Sequence, residues 1–298
     1  FPVAFGVPAV LLAVAILIFV SGTSRYTVLP PQGSALLDVA RTVWSGCRRR
    51  GRPISEGSSN SHWLDSARQD GFSEMSIANS KDVCRILPVM AVLPLFWCLF
   101  DQQGSSWTLQ AKDMVCTFNL HGIQPEQMGV VNPLLIMMLI PACDRLLYPA
   151  VRRSVHWAHT SRCGISVSHF RRMGLGMLVS AAAFVASGLL QASFHILMVQ
   201  AHMDSRPPLS VSAFWQLPQI FLISIAEILV SITGLEYSYS QAPPALKALV
   251  TSIFLLTTGV GNLLTGVVFN SLNVLSREHL FLLFASLMVA NFFVFLLV

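Results

Sequence analysis

One apolar run of the sequence, residues 214–240, carries two carboxylates inside it. Glu227 lies 13 residues from either end of this run, which is about 20 Å at the 1.5 Å rise of an α-helix. A carboxylate at the middle of a bilayer costs several kcal/mol, so it marks a candidate functional site. Ser231 and Gly234 follow at helical spacing on the same face and predict open space beside the carboxylate.

Two interpretations of Glu227 are open. The side chain is either a protonated, hydrogen-bonded packing group or a site that binds a cation or carries a proton. Burial disfavours the ionised carboxylate, whereas the ammonium group of a cargo favours it, so the second interpretation couples protonation to cargo binding. Glu236 lies near the predicted cytoplasmic end of the run, within reach of water or Lys247, and is interpreted as structural.

A second pair of charges stands where two apolar runs end. Arg85 begins one run and Asp144 closes the next, both on the predicted cytoplasmic side. Opposite charges on neighbouring helices predict a salt bridge that forms and breaks as an inner gate. The alternative is that Arg85 anchors at lipid headgroups and that Asp144 pairs with its neighbour Arg145.

Distance along the chain places an aromatic ring and an amide at the depth of Glu227. Trp97 lies 12 residues from Arg85, and Asn132 lies 12 residues from Asp144, which is about 18 Å of helix in each case. The three side chains predict a binding layer near the bilayer midplane, where transporters place their substrate sites. Trp97 taken alone is better explained by packing.

The elements that must position these side chains are apolar runs of membrane-spanning length. Of the 298 residues, 54% are hydrophobic and 11% charged, with a mean hydropathy of +0.63, whereas soluble proteins carry about 25% charged residues. Seven runs approach the roughly 20 residues that span a bilayer. They predict a transmembrane helix over 1–22, a cytoplasmic linker over 23–82, and six spans within 83–298, at about 83–106, 128–150, 172–199, 213–240, 246–271 and 278–298.

The basic residues orient these spans. Nine, six and one of the nineteen lie in segments 23–85, 145–172 and 241–247, which the positive-inside rule places in the cytoplasm. This asymmetry explains the basic triplet at 48–50 and argues against a nucleic-acid partner. The linker stretch SALLDVARTVWSGCRRR has apolar residues at helical spacing, which predicts a helix on the cytoplasmic membrane surface. A disordered loop is the alternative.

Metal, enzyme and receptor classes find less support. The six cysteines and eight histidines show no metal-binding spacing, so we predict neither a metal site nor catalytic residues. Seven spans and the triplet CDR at 143–145 invite comparison with a seven-helix receptor. The triplet is followed by Leu146, however, no N-P-x-x-Y motif ends the last run, and Glu227 lies deep.

Two long stretches carry a family resemblance. FWCLFDQQGSSWTLQA (Phe96–Ala111) and SITGLEYSYSQAP (Ser231–Pro243) resemble the proton-coupled oligopeptide transporters of the major facilitator superfamily, above all the animal-type di- and tripeptide transporters. The resemblance implies an all-α polytopic membrane protein of the major facilitator fold, which has twelve helices in two six-helix bundles. It aligns the first span with the last helix of the N-terminal bundle and the other six with the C-terminal bundle, so we expect the chain to be a fragment.

The resemblance also implies roles for single residues. Glu227 would engage the amino terminus of a peptide, and Trp97 and Asn132 would line the pocket, together with Ser231 and Phe254. Phe254 stands where animal members carry tryptophan, which implies a different pocket width. Gate roles would belong to Arg85 and Asp144 at the inner mouth and to Asp101 near the extracellular end.

The expected function is proton-coupled symport of di- and tripeptides by alternating access, with protons as the coupling ion and no other cofactor. The expected partners are small peptides with a free amino terminus, the lipid bilayer, and the N-terminal bundle of the same protein. Alternatives are transport of histidine, nitrate or another small metabolite, or a non-transporting nutrient sensor on the same fold. We expect the plasma membrane as the location, with endolysosomal or vacuolar membranes as alternatives.

Overall fold

The computed structural model describes residues 2–27, 33–49, 62–114, 117–118, 121–122, 124–142, 145, 164–203, 211–271 and 275–298. The chain divides into two compact units, residues 1–35 and 36–298. Each unit is described by itself.

The first unit contains helix α1, Pro2–Ser21, which is apolar on every side. Its side chains from Phe5 to Ser21 are exposed, as expected of a helix surrounded by lipid. A short 3₁₀ turn, Thr23–Arg25, follows. The Tyr26 hydroxyl donates to the Phe19 carbonyl at 2.8 Å and so turns the chain back on the end of the helix.

In its described residues, the second unit is almost entirely helical. Its helices are α2 (Ala35–Arg48), α3 (Glu74–Phe100), α4 (Gln102–Lys112), α5 (Val131–Ala142), α6 (Gly164–Met203), α7 (Leu217–Glu227), α8 (Thr233–Gln241), α9 (Lys247–Ser271) and α10 (Arg277–Leu297). Short 3₁₀ segments cover Trp63–Asp70, Pro125–Val130, Ala213–Gln216 and Pro244–Leu246, and a π-helical turn covers Ile228–Ile232. Two two-residue strands, β1 (Thr117–Phe118) and β2 (His121–Gly122), pair antiparallel.

Five helical stretches in the described part of the chain are long and apolar enough to cross a membrane. They are Glu74–Lys112, His169–Gln200, Ala213–Gln241, Pro244–Val268 and Arg277–Leu297. A shorter apolar helix covers Phe5–Ser21. The predicted all-α polytopic architecture is confirmed.

Helix starts follow ordinary capping chemistry. Ser73 caps α3, because its side chain accepts from the backbone N–H of Ser76 at 3.1 Å. Proline in the first turn of α7, Pro218, lacks an N–H that would have been unpaired there in any case.

A close approach of two helix backbones joins α9 to α3 at Gly261. A Cβ atom at this glycine would lie 2.5 Å from Trp97 Cβ and 2.8 Å from the Pro94 carbonyl oxygen. Beside it, the Thr265 hydroxyl donates to the Cys98 carbonyl at 3.1 Å. Small residues let helix backbones approach closely in membranes, and this one brings Trp97 against α9.

A second close approach joins α6 to the end of α7. A Cβ atom at Gly176 would lie 2.6 Å from Val230 Cγ2 and 3.1 Å from the Ala226 carbonyl oxygen. Because Ala226 and Val230 flank Glu227 on either side, α6 supports the backbone that carries this carboxylate. The other side of α6 packs along α10.

The segment before α3 is folded rather than extended. Leu64, Ala67 and Ile77 form a small buried core. Helix α2 packs closely against this segment, because a Cβ atom added to Gly46 would lie 3.0 Å from the Trp63 ring. The predicted domain boundary at 82–83 therefore falls inside α3.

Ion pairs tie this folded segment together. Asp70 accepts from the Arg49 guanidinium and from the Ser45 hydroxyl, and these partners hold the pKa of the Asp70 carboxyl at about 2. Burial acts to raise the pKa of Asp65. The Lys81 ammonium at 2.7 Å, the backbone N–H of His62 and the charge of Arg68 together outweigh this effect, so the pKa of Asp65 is lowered. The segment is thus held by charges that persist at neutral pH.

Candidate functional site

The helix that carries Glu227 changes its hydrogen-bonding pattern at that residue. The α-helical part α7 ends at Glu227, and the five residues Ile228–Ile232 form a π-helical turn before α8 resumes. A π-turn bonds each N–H to the carbonyl five residues back and is frequent at functional sites. The spacing that we used to place Ser231 and Gly234 assumed an unbroken α-helix.

Gly234 consequently does not open space beside the carboxylate. A Cβ atom at Gly234 would lie 2.7 Å from Phe254 Cε2, so the ring of Phe254 already fills that space. Ser231 lies within the π-turn and is half-buried. The sequence-based expectation of an open face at Gly234 is wrong, because one extra residue per turn shifts every later side chain around the helix.

Glu227 and Asn132, which the sequence placed at one depth, are in contact. The amide Nδ2 of Asn132, on α5, donates to Glu227 Oε2 at 3.1 Å. Asn132 is only 7% exposed, and its Oδ1 accepts from the buried hydroxyl of Ser224 at 2.5 Å. A buried amide is thus held at both ends, and one end faces the carboxylate. Sequence reasoning missed Ser224, although it lies three residues before Glu227.

Trp97 and Phe254 form a second cluster. Their ring centroids are 6.4 Å apart at 76°, an edge-to-face arrangement that aromatic pairs favour. Both rings are buried, at 7% and 3% exposed, and within the described residues the indole N–H of Trp97 has no hydrogen-bond partner. Phe254 therefore links Trp97 on α3 to Gly234 on α8.

A groove of about 350 Å³ reaches Asn132 from the predicted outer side. Its lining is mostly polar and small, and consists of Gln103, Gly104, Thr108, Glu126, Gly129, Asn132 and Pro133. The groove thus reaches the residue whose amide contacts Glu227.

The polar stretch after α3 divides between this groove and the interior. Asp101 is half-buried at the junction of α3 and α4, where its backbone N–H donates to the Trp97 carbonyl at 2.9 Å. Gln103 lines the groove. Gln102 is fully buried, and its side chain bonds the Cys98 carbonyl at 3.3 Å and the Ser106 hydroxyl at 3.0 Å. The two neighbouring glutamines thus face different surroundings.

Only one of the two residues of the predicted inner gate belongs to the described part of the chain. Arg85 is exposed on α3, and Asp144 lies outside the described residues. Glu236, which we expected near Lys247, lies 3.4 Å from the Arg172 guanidinium and 3.4 Å from His169 Nε2, both on α6. Lys247 instead lies over the ring of Tyr239 at 4.1 Å.

A group of buried glutamines was not foreseen from the sequence. Gln216 and Gln219, at the start of α7, both donate to Gln110 Oε1 at 3.0 Å, and Gln110 Nε2 donates to the Ser187 carbonyl at 3.1 Å. All three amides are 1% exposed. They bind α4 and α6 to the helix that carries Glu227, so this end of α7 is fixed to its neighbours.

Comparison with known proteins identifies the family of this chain. The family model described as the POT family matches residues 1–283, almost the whole chain. The chain belongs to the POT family. The predicted family membership is thereby confirmed.

Curated relatives of this POT family chain include two solute carriers. Solute carrier family 15 member 1 of Oryctolagus cuniculus is 38% identical over 192 residues, which are 64% of this chain and 26% of the relative. Solute carrier family 15 member 2 of the same species is 35% identical over 192 residues, which are 64% of the chain and 25% of the relative. The chain thus spans about a quarter of the length of these relatives.

Solved structures agree with the assignment to the POT family. The POT family transporter PepTSo has a TM-score of 0.67 at 26% identity, and the match covers 99% of this chain and 64% of that one. An auto-inhibited POT family peptide transporter has a TM-score of 0.68 at 26% identity, covering 99% and 63%. The predicted fold class, a major facilitator arrangement, is confirmed.

Proposed function

We propose that this chain is part of a proton-coupled symporter of di- and tripeptides that works by alternating access, together with an N-terminal helix bundle of the same protein. Membership of the POT family supports transport as the activity. The observation that carries the choice of cargo is the contact between Glu227, on a helix long and apolar enough to span a membrane, and Asn132 on α5.

The chemistry of this contact fits an amine. Within the described residues, Glu227 makes one hydrogen bond, from Asn132, so its carboxylate retains capacity to accept further donors. A peptide ammonium brings three N–H donors and a positive charge, which compensates the negative charge of the half-buried carboxylate. An anion such as nitrate gains nothing from this carboxylate.

The remaining predicted site residues receive roles in the same proposal. Trp97 and Phe254 form an apolar wall for peptide side chains, and Ser231 lies in the turn after Glu227. Asp101, at the junction of α3 and α4, governs outward opening. Arg85 and Asp144 form the inner gate.

We further propose that α2 lies on the cytoplasmic face of the membrane. Its small residues Thr42, Ser45 and Gly46 are buried against the folded segment. The opposite side leaves Leu36 and Trp44 at 58% and 72% exposed, beside exposed arginines. Apolar side chains next to basic ones suit a surface of anionic lipid headgroups. For the protein as a whole we propose residence in the plasma membrane.

The test uses the full-length protein that contains this chain, reconstituted in liposomes with an imposed pH gradient. We expect uptake of a labelled dipeptide that depends on the inward proton gradient. Competition by unlabelled dipeptide should be strong, and competition by the N-acetylated dipeptide, histidine or nitrate should be weak. Uptake of histidine or nitrate in place of peptide, or the absence of any uptake, contradicts the proposal.

Glu227→Gln should abolish this uptake, because the neutral amide neither attracts the ammonium nor carries the proton. Glu74→Gln is the matched control, since Glu74 is an exposed carboxylate paired with Arg68 at the start of α3, and its uptake should equal that of the wild type. Unchanged proton-driven uptake in Glu227→Gln contradicts the role of Glu227 in binding amines.

A further inference from the structure

Ser224 is placed to act on Glu227 through Asn132. It lies on α7, three residues before Glu227, and is fully buried. Its hydroxyl oxygen is 2.5 Å from Asn132 Oδ1 and 2.8 Å from the Ile220 backbone oxygen. The far end of the same amide, Asn132 Nδ2, is 3.1 Å from Glu227 Oε2. Ser224, the Asn132 amide and Glu227 thus form one chain of hydrogen bonds, and the Ile220 carbonyl is a second acceptor within reach of the single Ser224 proton.

The direction of this chain depends on the charge of Glu227. An ionised carboxylate only accepts hydrogen bonds, so it requires the NH₂ end of the Asn132 amide. The Oδ1 end then faces Ser224, which must donate its single hydroxyl proton to it. The arrangement in the structure is this one, and it suits ionised Glu227.

A protonated Glu227 permits the reverse direction. The carboxyl O–H donates to Asn132 Oδ1 once the amide turns by half a revolution about its last bond. The NH₂ end then donates to the Ser224 oxygen, and the Ser224 proton turns to the Ile220 carbonyl. Since Ser224 has an acceptor within reach on either side, every buried polar group of the chain is satisfied in both states.

We propose that Ser224 is a positioning residue for Glu227, and that the Asn132 amide reverses its orientation when Glu227 gains or loses its proton. Ser224 makes both orientations complete, so neither protonation state leaves the amide with an unpaired end. The inference deepens the proposed function, because it concerns the same carboxylate, but protonation of Glu227 can be followed without any transport.

Other titratable groups are arranged so that they do not enter this chain. The described helix α5 carries none. The other charged or titratable groups on the elements around α7 have partners or positions elsewhere: His169 and Arg172 beside Glu236, Arg171 and His202 exposed on α6, Tyr237 against the Phe170 ring, His195 near Glu278, Lys112 paired with Glu126, and Lys247 over Tyr239. Within the described residues, a pH response of the Asn132 amide is therefore assigned to Glu227.

A serine of the same kind on another helix provides a control. Ser187, on α6, is also fully buried and donates to the carbonyl four residues before it, at 2.8 Å. Its hydroxyl has no contact with Asn132 or Glu227. Ser187→Ala therefore removes an equivalent backbone bond without touching the amide.

The experiment follows the side-chain amide of Asn132 by nuclear magnetic resonance in the full-length protein, labelled with ¹⁵N-asparagine, in lipid nanodiscs. The resonance is assigned by its loss in Asn132→Ala. In the wild type we expect its shift to change with pH through a single midpoint. In Glu227→Gln the pH response should be lost.

The variants at position 224 test the positioning role. Ser224→Ala should lose at least half of the pH-dependent shift, because one amide end has no partner in either state. Ser224→Thr, which keeps the hydroxyl, and Ser187→Ala should retain it. Ser224→Cys carries a thiol that hydrogen-bonds only weakly and is of similar size, so it should show the same loss as Ser224→Ala. It replaces Ser224→Ala in the test if Ser224→Ala does not fold.

Two results overturn the proposal. One is an Asn132 resonance that does not change with pH in the wild type. The other is a change in Ser224→Ala or Ser224→Cys equal to that of the wild type. If dipeptide uptake fails while the amide still titrates, the proposed function fails and the role of Ser224 stands. If dipeptide uptake succeeds while the Asn132 resonance does not change with pH, the role of Ser224 fails and the proposed function stands.

Discussion

Replacement of Gly261 by alanine should force α9 away from α3. The added Cβ would lie 2.5 Å from Trp97 Cβ, 2.8 Å from the Pro94 oxygen and 3.0 Å from the Cys98 nitrogen. None of these atoms can move by changing a side-chain rotamer. The helices must therefore separate by about 1 Å locally to restore an ordinary contact of about 3.5 Å.

These contacts set the free-energy cost of the Gly261→Ala substitution. Overpacking of this kind costs about 1–3 kcal/mol, and the gain from replacing a helical glycine by alanine offsets about 0.5–1 kcal/mol of it. A net loss of about 1–2 kcal/mol corresponds to a fall in Tm of roughly 2–8 °C, at about 2–4 °C per kcal/mol. The same displacement moves Trp97, so peptide uptake should fall as well.

Gly259 provides the control on the same helix. A Cβ at Gly259 would meet nothing within 4 Å, so Gly259→Ala should leave Tm unchanged or raise it. The measurement is thermal unfolding of the full-length protein in detergent, with both variants in parallel. Equal Tm values for Gly261→Ala and Gly259→Ala would refute the reasoning, because the two changes differ only in the space around the new atom.

Three further predictions follow from other contacts. The pKa of Asp70 is about 2, below its usual value, so the bonds of the Asp70 carboxylate stabilise the fold near neutrality and are lost as pH falls from about 4 to 2. Pepsin should therefore cleave residues 62–71 of the wild type faster as pH falls over that range, and it should already cleave Asp70→Asn quickly at pH 4. Reversing both charges, Arg85→Asp with Asp144→Arg, should restore more dipeptide uptake than either single change, and additive losses would argue against a gate pair. Gln110→Ala removes the acceptor shared by two buried amides and should cost about 1–3 kcal/mol in thermal unfolding, whereas Gln103→Ala, at a glutamine of the same helix that lines the groove, should cost less.

Depth along a helix was a sufficient guide to one contact of the site. Asn132, 12 residues from Asp144, was placed level with Glu227, 13 residues from either end of its run, and the structure brings their side chains to 3.1 Å. The method works because a membrane helix has a fixed rise per residue and its ends are marked by charge.

Rotation around a helix was a poorer guide than depth. The expectation for Gly234 failed because the π-turn at Ile228–Ile232 changes the angle between residues without leaving a mark in the sequence. Ser224 was missed for a different reason. A serine in an apolar run bonds its own helix in most cases, and only the position of α5 reveals a second partner.

Burial of polar residues was hardest to foresee. From the sequence, Gln102 and Gln103 are equivalent neighbours, yet one is fully buried and the other lines the groove. Which of two adjacent amides faces inward depends on where α3 ends and α4 begins, at Asp101. That boundary is set by tertiary packing, not by the local residues.

The π-turn also determines where this helix tolerates a change in length. A π-turn holds one residue more than an α-helical turn, and each residue of an α-helix turns the chain by about 100°. Deletion of one residue between 228 and 232 would leave a continuous α-helix in which Glu227 and Gly234 still face their present neighbours. A deletion elsewhere in the same span would rotate every later residue away from its contacts. In a membrane helix, where a one-residue gap is ordinarily disruptive, this turn is a place where related chains can differ in length by one residue.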